Sequence, residues 1–175
     1  MAAVKSQNLV TCKRPQVLLC IHGGGFILES SFFARGLRDV ADFVYAHVEG
    51  QVSTEGLDLP PGKSEMLVPL RTHSNASISR LIRGTWADFW RVRSMIQRHG
   101  IDVVAVMGSN LALPAFLAAK SKGRRTLFVE SMTRTRKISA TGRICKALGL
   151  VDRFYVQWPA LADPAKNLIY KGMVL

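Results

Sequence analysis

The sequence predicts an α/β protein built on a doubly wound, Rossmann-like parallel sheet, and three observations carry that expectation. Short apolar runs bounded by glycine or proline recur along the chain, as in QVLLCI at 16–21 and IDVVAVM at 101–107, and suit strands buried on both faces. Stretches with helical periodicity alternate with them, and the joints are short and contain glycine. At 175 residues, 48% of them hydrophobic, the chain suits one domain spanning residues 1–175.

Taken in order, residues 1–14 are polar and mixed and read as a lead-in. The strand at 16–21 is followed by His22, Gly23, Gly24, Gly25 and Phe26, and by helical patterning to about Val40. Glycines between a buried strand and a helix either turn backbone N–H groups toward an anion at the helix N-terminus or make a tight turn without a ligand. Residues 42–48 (DFVYAHV) alternate as a second strand. Residues 49–65 carry Gly, Pro, Ser and acids without periodicity and read as a mobile loop. Residues 66–70 predict a short third strand that Pro69 confines to an end or edge, and 71–77 a polar linker in which Ser77 is one candidate cap.

Residues 78–99 give the strongest helical signal. Ile78, Leu81, Ile82, Phe89, Val92 and Ile96 recur at three- and four-residue spacing as one core face. Trp86 and Trp90 lie to the side of that stripe with Arg83 and Arg93, which suits a membrane interface or a protein contact, or else indoles that complete the core. Gly100 ends the helix. A strand at 101–107, a helix after Gly108 and Ser109, a strand at 126–129, a helix at 139–148, a strand at 153–157 and an apolar piece at 168–170 complete the pattern.

Charge narrows the function. Lys and Arg total 24 against 12 Asp and Glu, a net charge of +12, which calls for an anionic partner. Beyond Glu65 eighteen basic residues face five acids, so the cationic field belongs to the second part of the chain. There Glu130 stands at a strand's C-terminal end, followed by Arg134, Arg136 and Lys137, where an open α/β sheet places its ligand chemistry. Cys12, Cys20 and Cys145 have no metal-ligand spacing and read as reduced thiols, and no metal site is expected. No apolar run approaches the ~18 residues of a membrane span.

Two rival classes weaken on inspection. HGGGF after a strand matches an esterase oxyanion loop, but Ser109 lacks the G-x-S-x-G elbow, and His22, His47, His73 and His99 all precede it. A basic Rossmann-like nucleic-acid-binding domain would account for the charge, but no recognition module is present and the aromatics do not interleave with the basic run, so no nucleic acid is expected.

The segments Val129-Glu130-Ser131-Met132-Thr133-Arg134, Ser139-Ala140-Thr141-Gly142-Arg143 and Asp152-Arg153-Phe154-Tyr155-Val156-Gln157-Trp158-Pro159 closely resemble the acceptor-side subunit of a split glycosyltransferase. Its relatives are the membrane-anchoring subunit of the dolichol-linked N-acetylglucosaminyltransferase and bacterial capsule and exopolysaccharide counterparts. Gly24, Gly25 and Glu29 fit the family's first glycine loop, and Gly108 with Pro114 its strand-to-helix corner; Phe26 stands where that loop normally carries histidine.

The resemblance implies the N-terminal half of a GT-B glycosyltransferase, which binds a lipid-pyrophosphate-linked sugar acceptor. A donor-binding partner subunit would hold the UDP-sugar, so this chain itself binds no cofactor. For inverting transfer, Glu130 is the first candidate for acceptor positioning or general base, followed by Glu29 and His22, while an ion pair with Arg134 is the structural alternative for Glu130. Gly23, Gly24, Gly25, Gly108, Ser109, Ser131, Arg134, Arg136, Lys137 and Thr141 are the expected acceptor and phosphate contacts. Trp86, Trp90, Arg83, Arg93, Gln157 and Trp158 are expected at a partner or anionic membrane surface, which places the protein in the cytoplasm, peripheral on the inner face of the membrane.

Overall fold

A computed structural model describes residues 13–48, 59–67 and 78–174, with no account of the side chains of 48, 65–67 and 78–82. Seven strands form one sheet, β1 Gln16–Ile21, β2 Asp42–Val48, β3 Gly62–Leu67, β4 Val103–Met107, β5 Arg125–Val129, β6 Arg153–Val156 and β7 Leu168–Tyr170. Four α-helices are described, α1 Gly25–Gly36, α2 Ile78–His99, α3 Ala112–Lys120 and α4 Ala140–Ala147. Every strand pair is parallel, in the order β3-β2-β1-β4-β5-β6-β7.

The period of two along each strand divides the core. Val17, Leu19 and Ile21 face the side where Phe33 and Ala34 of α1, and Leu37 just beyond its end, pack. Leu18 and Cys20 face the opposite side, beneath Val92, Met95 and Ile96 of α2, the small apolar face of α3, and Cys145 of α4. Alanines 112, 115, 118 and 119 let α3 approach the sheet closely, and Phe116, Phe128 and Phe154 fill the space between α3, α4 and the sheet.

The winding creates a crevice. The chain runs outward from β1 to β3, returns through α2 and adds β4 on the other side of β1. The loops after β1 and β4 therefore leave the sheet in opposite directions, and an open α/β sheet binds ligands at that reversal, outside the carboxyl ends of the strands.

Several boundaries differ from the sequence reading. β3 begins at Gly62, so residues 62–65 belong to a strand and not to the loop; as an edge strand paired to β2 alone, it has little need of a two-sided apolar pattern. α1 ends at Gly36, with turns through Val40, and β4 begins at Val103 because Ile101 and Asp102 form the approach to the sheet. The expected loop at 49–58, the end of the third strand with Pro69, the linker with Ser77, Cys12 and most of the lead-in lie outside the described residues. Cys20 and Cys145 are buried free thiols, pushed up to about 12 and about 11 by burial.

Candidate functional site

Three loops meet at the carboxyl edge of the sheet. The loop after β1 carries His22, Gly23 and Gly24 into α1, whose N-terminus has no side-chain cap. Gly24 adopts φ +74, both Gly24 and Gly25 are exposed with nothing within 4 Å of the position of the absent Cβ, and Ile27 N donates to the Gly24 carbonyl at 3.1 Å. The His22 ring is half-buried, edge-on to Phe26 at 6.0 Å. After β4, Gly108 turns with φ +50, and a Cβ there would meet Phe26 at 2.8 Å and Ser131 at 2.9 Å. That close approach brings the β1, β4 and β5 loops together.

The third loop, residues 130–139 between β5 and α4, is held from beneath by two buried carboxylates. Glu130 is 0% exposed. Its Oε1 accepts from Ser131 N (3.1 Å) and its Oε2 from Ser139 N (2.7 Å). Glu29, reaching from α1, accepts from Ser131 Oγ at 2.8 Å and from Met132 N at 3.4 Å. Gln157 Nε2 donates to both Glu29 Oε2 (3.0 Å) and the Glu130 carbonyl (2.9 Å), and Trp158 Nε1 donates to the Met132 carbonyl at 2.6 Å. Residues from α1, β5 and the segment after β6 thus fix the path of this loop, while Arg134, Arg136 and Lys137 on its crest stay exposed.

The electrostatics follow from burial. Desolvation raises the Glu130 pKa, and the N–H donors of Ser139 and Ser131 together with the Arg134 charge offset it only in part. Glu130 also occupies the N-terminus of α4, where Ser139 Oγ accepts from Gly142 N. The positive end of α4 is thereby spent on the protein's own carboxylate, whereas that of α1 is open.

These positions correct the sequence reading residue by residue. Glu130 and Glu29 sit inside the protein with backbone and side-chain donors on their oxygens, so both hold the loop; neither lines a groove. For Glu130 those donors include the backbone N–H groups of Ser131 and Ser139; Arg134, the partner in the structural alternative, acts on it through its charge. Ser109 is buried and its Oγ accepts from Leu111 N, which makes it a turn-forming residue at the start of α3 and not a phosphate contact. Ser131 is buried and likewise engaged. Gln157, expected at a partner surface, is 1% exposed and links the Glu29 carboxylate to the Glu130 backbone carbonyl, with its Oε1 accepting from Val174 N. Half-buried Trp158 pins the loop, and half-buried Thr141 lies in the first turn of α4. Trp86 and Trp90, for which completion of the core was the alternative, are 60% and 51% exposed. The Gln157 bridge escaped sequence reasoning because a glutamine after a strand gives no periodic signal; the isolation of Glu130 in the basic part of the chain was the available hint.

Among the described residues no cluster of His, Cys, Asp or Glu could hold a metal ion, and no helix is long and apolar enough to cross a membrane.

Comparison with known proteins agrees with this architecture. The family model described as "Oligosaccharide biosynthesis protein Alg14 like" matches residues 75–174. The UDP-N-acetylglucosamine transferase subunit alg14 of Schizosaccharomyces pombe is 42% identical over 199 residues, covering 98% of this chain and 89% of the relative. The corresponding subunit of Cryptococcus neoformans is 39% identical over 84 residues, 45% of this chain and 35% of the relative. Among solved structures, Acinetobacter baumannii MurG superimposes with a TM-score of 0.68 at 14% identity, covering 90% of this chain and 46% of that one. A structure of LpCGTa in complex with UDP gives 0.62 at 13%, covering 93% and 53%. The chain spans about half the length of these solved structures, and at this identity the likeness is one of fold, a Rossmann-like α/β sheet. With its matched segment taking in the 130–139 loop, Gln157 and Trp158, this chain belongs to the Alg14-like family of oligosaccharide biosynthesis proteins.

Proposed function

We propose that this chain is the acceptor-binding subunit of a two-chain inverting glycosyltransferase. It presents a lipid-pyrophosphate-linked glycan to a donor-binding partner that carries the UDP-sugar, and it works at the cytoplasmic face of the membrane. The names of the relatives support N-acetylglucosamine as the sugar transferred. What supports the reading is that the exposed Gly24 and Gly25 at the uncapped head of α1 and the braced loop bearing exposed Arg134, Arg136 and Lys137 both lie at the carboxyl edge of the sheet, where Gly108 approaches Phe26 and Ser131.

A pyrophosphate held there takes backbone N–H donation from α1 on one side and charge-assisted bonds from the loop cations on the other. Because Glu29, Glu130, Gln157 and Trp158 set the loop in advance, little ordering entropy is lost when the acceptor binds. The acceptor hydroxyl must lose a proton as the donor's anomeric carbon is attacked. Of the three candidate bases on this chain, His22 is the one with solvent access at the crevice, so it receives the proton in this reading.

Reconstitution with the donor-binding partner tests the proposal. Replacing Arg134, Arg136 and Lys137 together by alanine raises the acceptor KM at least tenfold and leaves the donor KM unchanged. His22→Ala lowers kcat by about 10²-fold or more, the range of a general base. Unchanged acceptor KM in the triple variant overturns the assignment of the loop.

A further inference from the structure

We infer that residues 171–174 form a strap that positions the 130–139 loop from a distance, acting through Gln157. That the loop holds the acceptor rests on the reading above; its coupling to the strap does not. The chain leaves β7 at Tyr170 and runs through 171–174 without regular secondary structure. Val174 packs against the core cluster that contains Val129 and Ala34, and its N–H donates to Gln157 Oε1 at 3.1 Å.

Three partners decide which way round the Gln157 amide sits. The Glu29 carboxylate and the Glu130 carbonyl each demand a donor, and the Val174 N–H demands an acceptor, so a single orientation satisfies all three. The other oxygen of Glu29 takes Ser131 Oγ at 2.8 Å and Met132 N at 3.4 Å. A hydrogen-bonded path therefore runs from Val174 through two buried side chains, Gln157 and Glu29, to the backbone of the loop. If the strap lifts, Gln157 Oε1 loses its donor, and the groove that Gln157 and the strap line together opens to water. Water then competes for the bonds that Gln157 makes to Glu29 and Glu130, and the brace slackens.

The strap can move without the fold. Among the described helices, α1 alone packs on this face, against β1 and β4. Beside it lies a groove of about 450 Å³ whose lining includes Leu127, Val129, Tyr155 and the strap itself. Lys171 and Met173 are exposed, and Gly172 holds φ +105, a conformation that side-chain-bearing residues rarely adopt. A segment with so few buried contacts opens locally at a smaller cost than global unfolding.

Hydrogen exchange on the purified chain, with equilibrium binding of a lipid-pyrophosphate-linked N-acetylglucosamine, tests the coupling. Val174→Pro deletes the N–H. Gly172→Ala strains the strap through its backbone alone, since nothing lies within 4 Å of the added Cβ. Each speeds exchange of the Met132 amide about fivefold, the worth of one neutral hydrogen bond, and weakens acceptor binding by a similar factor. Amides of β1 and β4 stay protected, and Val174→Ala, which retains the N–H, leaves Met132 as in wild type. Because the strap acts through Gln157, adding Val174→Pro to Gln157→Met changes Met132 exchange no further. Unaltered Met132 exchange in both strap variants overturns the coupling, as does a uniform rise across all amides or a Val174→Pro effect that adds in full to Gln157→Met. A wild-type chain that ignores the lipid pyrophosphate overturns the acceptor reading instead, and the exchange data still decide the coupling.

Discussion

Replacing Glu130 probes the buried brace most sharply, because every bond it makes is to a group with no alternative partner in view. Glu130→Ala leaves the N–H groups of Ser131 and Ser139 without acceptors in a site that is 0% exposed. Each buried orphan costs about 1–3 kcal/mol, so the loss lies between about 2 and 6 kcal/mol. Removing the carboxylate also relieves its own desolvation, the dominant influence on its pKa, which brings the expected net loss to about 3 kcal/mol. For a chain of this size that lowers Tm by about 6–12 °C.

Glu130→Gln keeps one acceptor but sets an NH2 group against the other N–H, and costs about 1–2 kcal/mol. The pH dependence has a definite sign. A carboxyl whose native pKa is raised stabilises the fold fully below its ordinary value of 4.5, and that contribution is lost as pH rises through the raised native value. The stability gap between wild type and Glu130→Gln is therefore widest near pH 4.5 and narrows toward neutral. Urea unfolding across that range measures the gap, and hydrogen exchange reads the amides of Ser131 and Ser139 directly. If Glu130→Ala unfolds within 1 kcal/mol of wild type, or those two amides remain as protected as before, the brace does not hold the loop.

Other substitutions separate packing from polar effects. Gly142→Ala gains about 1 kcal/mol of helix propensity but drives a Cβ to 2.8 Å from Phe154 and 3.1 Å from Glu130 Oε2; since Phe154 is fully buried, overpacking prevails and the thermal midpoint falls by a few degrees. Trp158→Phe removes the bond to the Met132 carbonyl at a cost of about 1 kcal/mol, with faster exchange confined to the 130–139 loop. At Asp152 burial pushes the carboxyl pKa up, but hydrogen bonds from Lys120 and Thr126 outweigh it and hold the value below normal. Its contribution is present above pH 3.8 and lost as pH falls through the lower native value, so Asp152→Asn reduces Tm at neutral pH and flattens the acid limb of the unfolding curve.

The fold was legible where burial is two-sided. Runs such as QVLLCI and IDVVAVM contain almost nothing polar because they lie in the centre of a parallel sheet, and α2 announced itself by a stripe that had to face that sheet. β3 was misplaced because an edge strand satisfies its neighbour through backbone bonds and can carry Gly, Lys and Ser. The site was legible as a place more than as a set of roles. A single acid among cations after β5 marked the loop, but sequence could not say that Glu130 points inward. That follows from the Ser131 amide and from the Ser139 amide at the head of α4, nine residues away. The aromatic pair on α2 was likewise visible as a flank; only the packing of Met95 and Ile96 leaves the indoles outside.

The most direct measurement is equilibrium binding of two ligands to the purified chain without a partner: a lipid-pyrophosphate-linked N-acetylglucosamine and UDP-N-acetylglucosamine. The account predicts saturable binding of the lipid pyrophosphate, weakened at least tenfold when Arg134, Arg136 and Lys137 are replaced by alanine, and no binding of the nucleotide sugar until the partner is added. Tight binding of UDP-N-acetylglucosamine by the lone chain, with indifference to the lipid pyrophosphate, would contradict it.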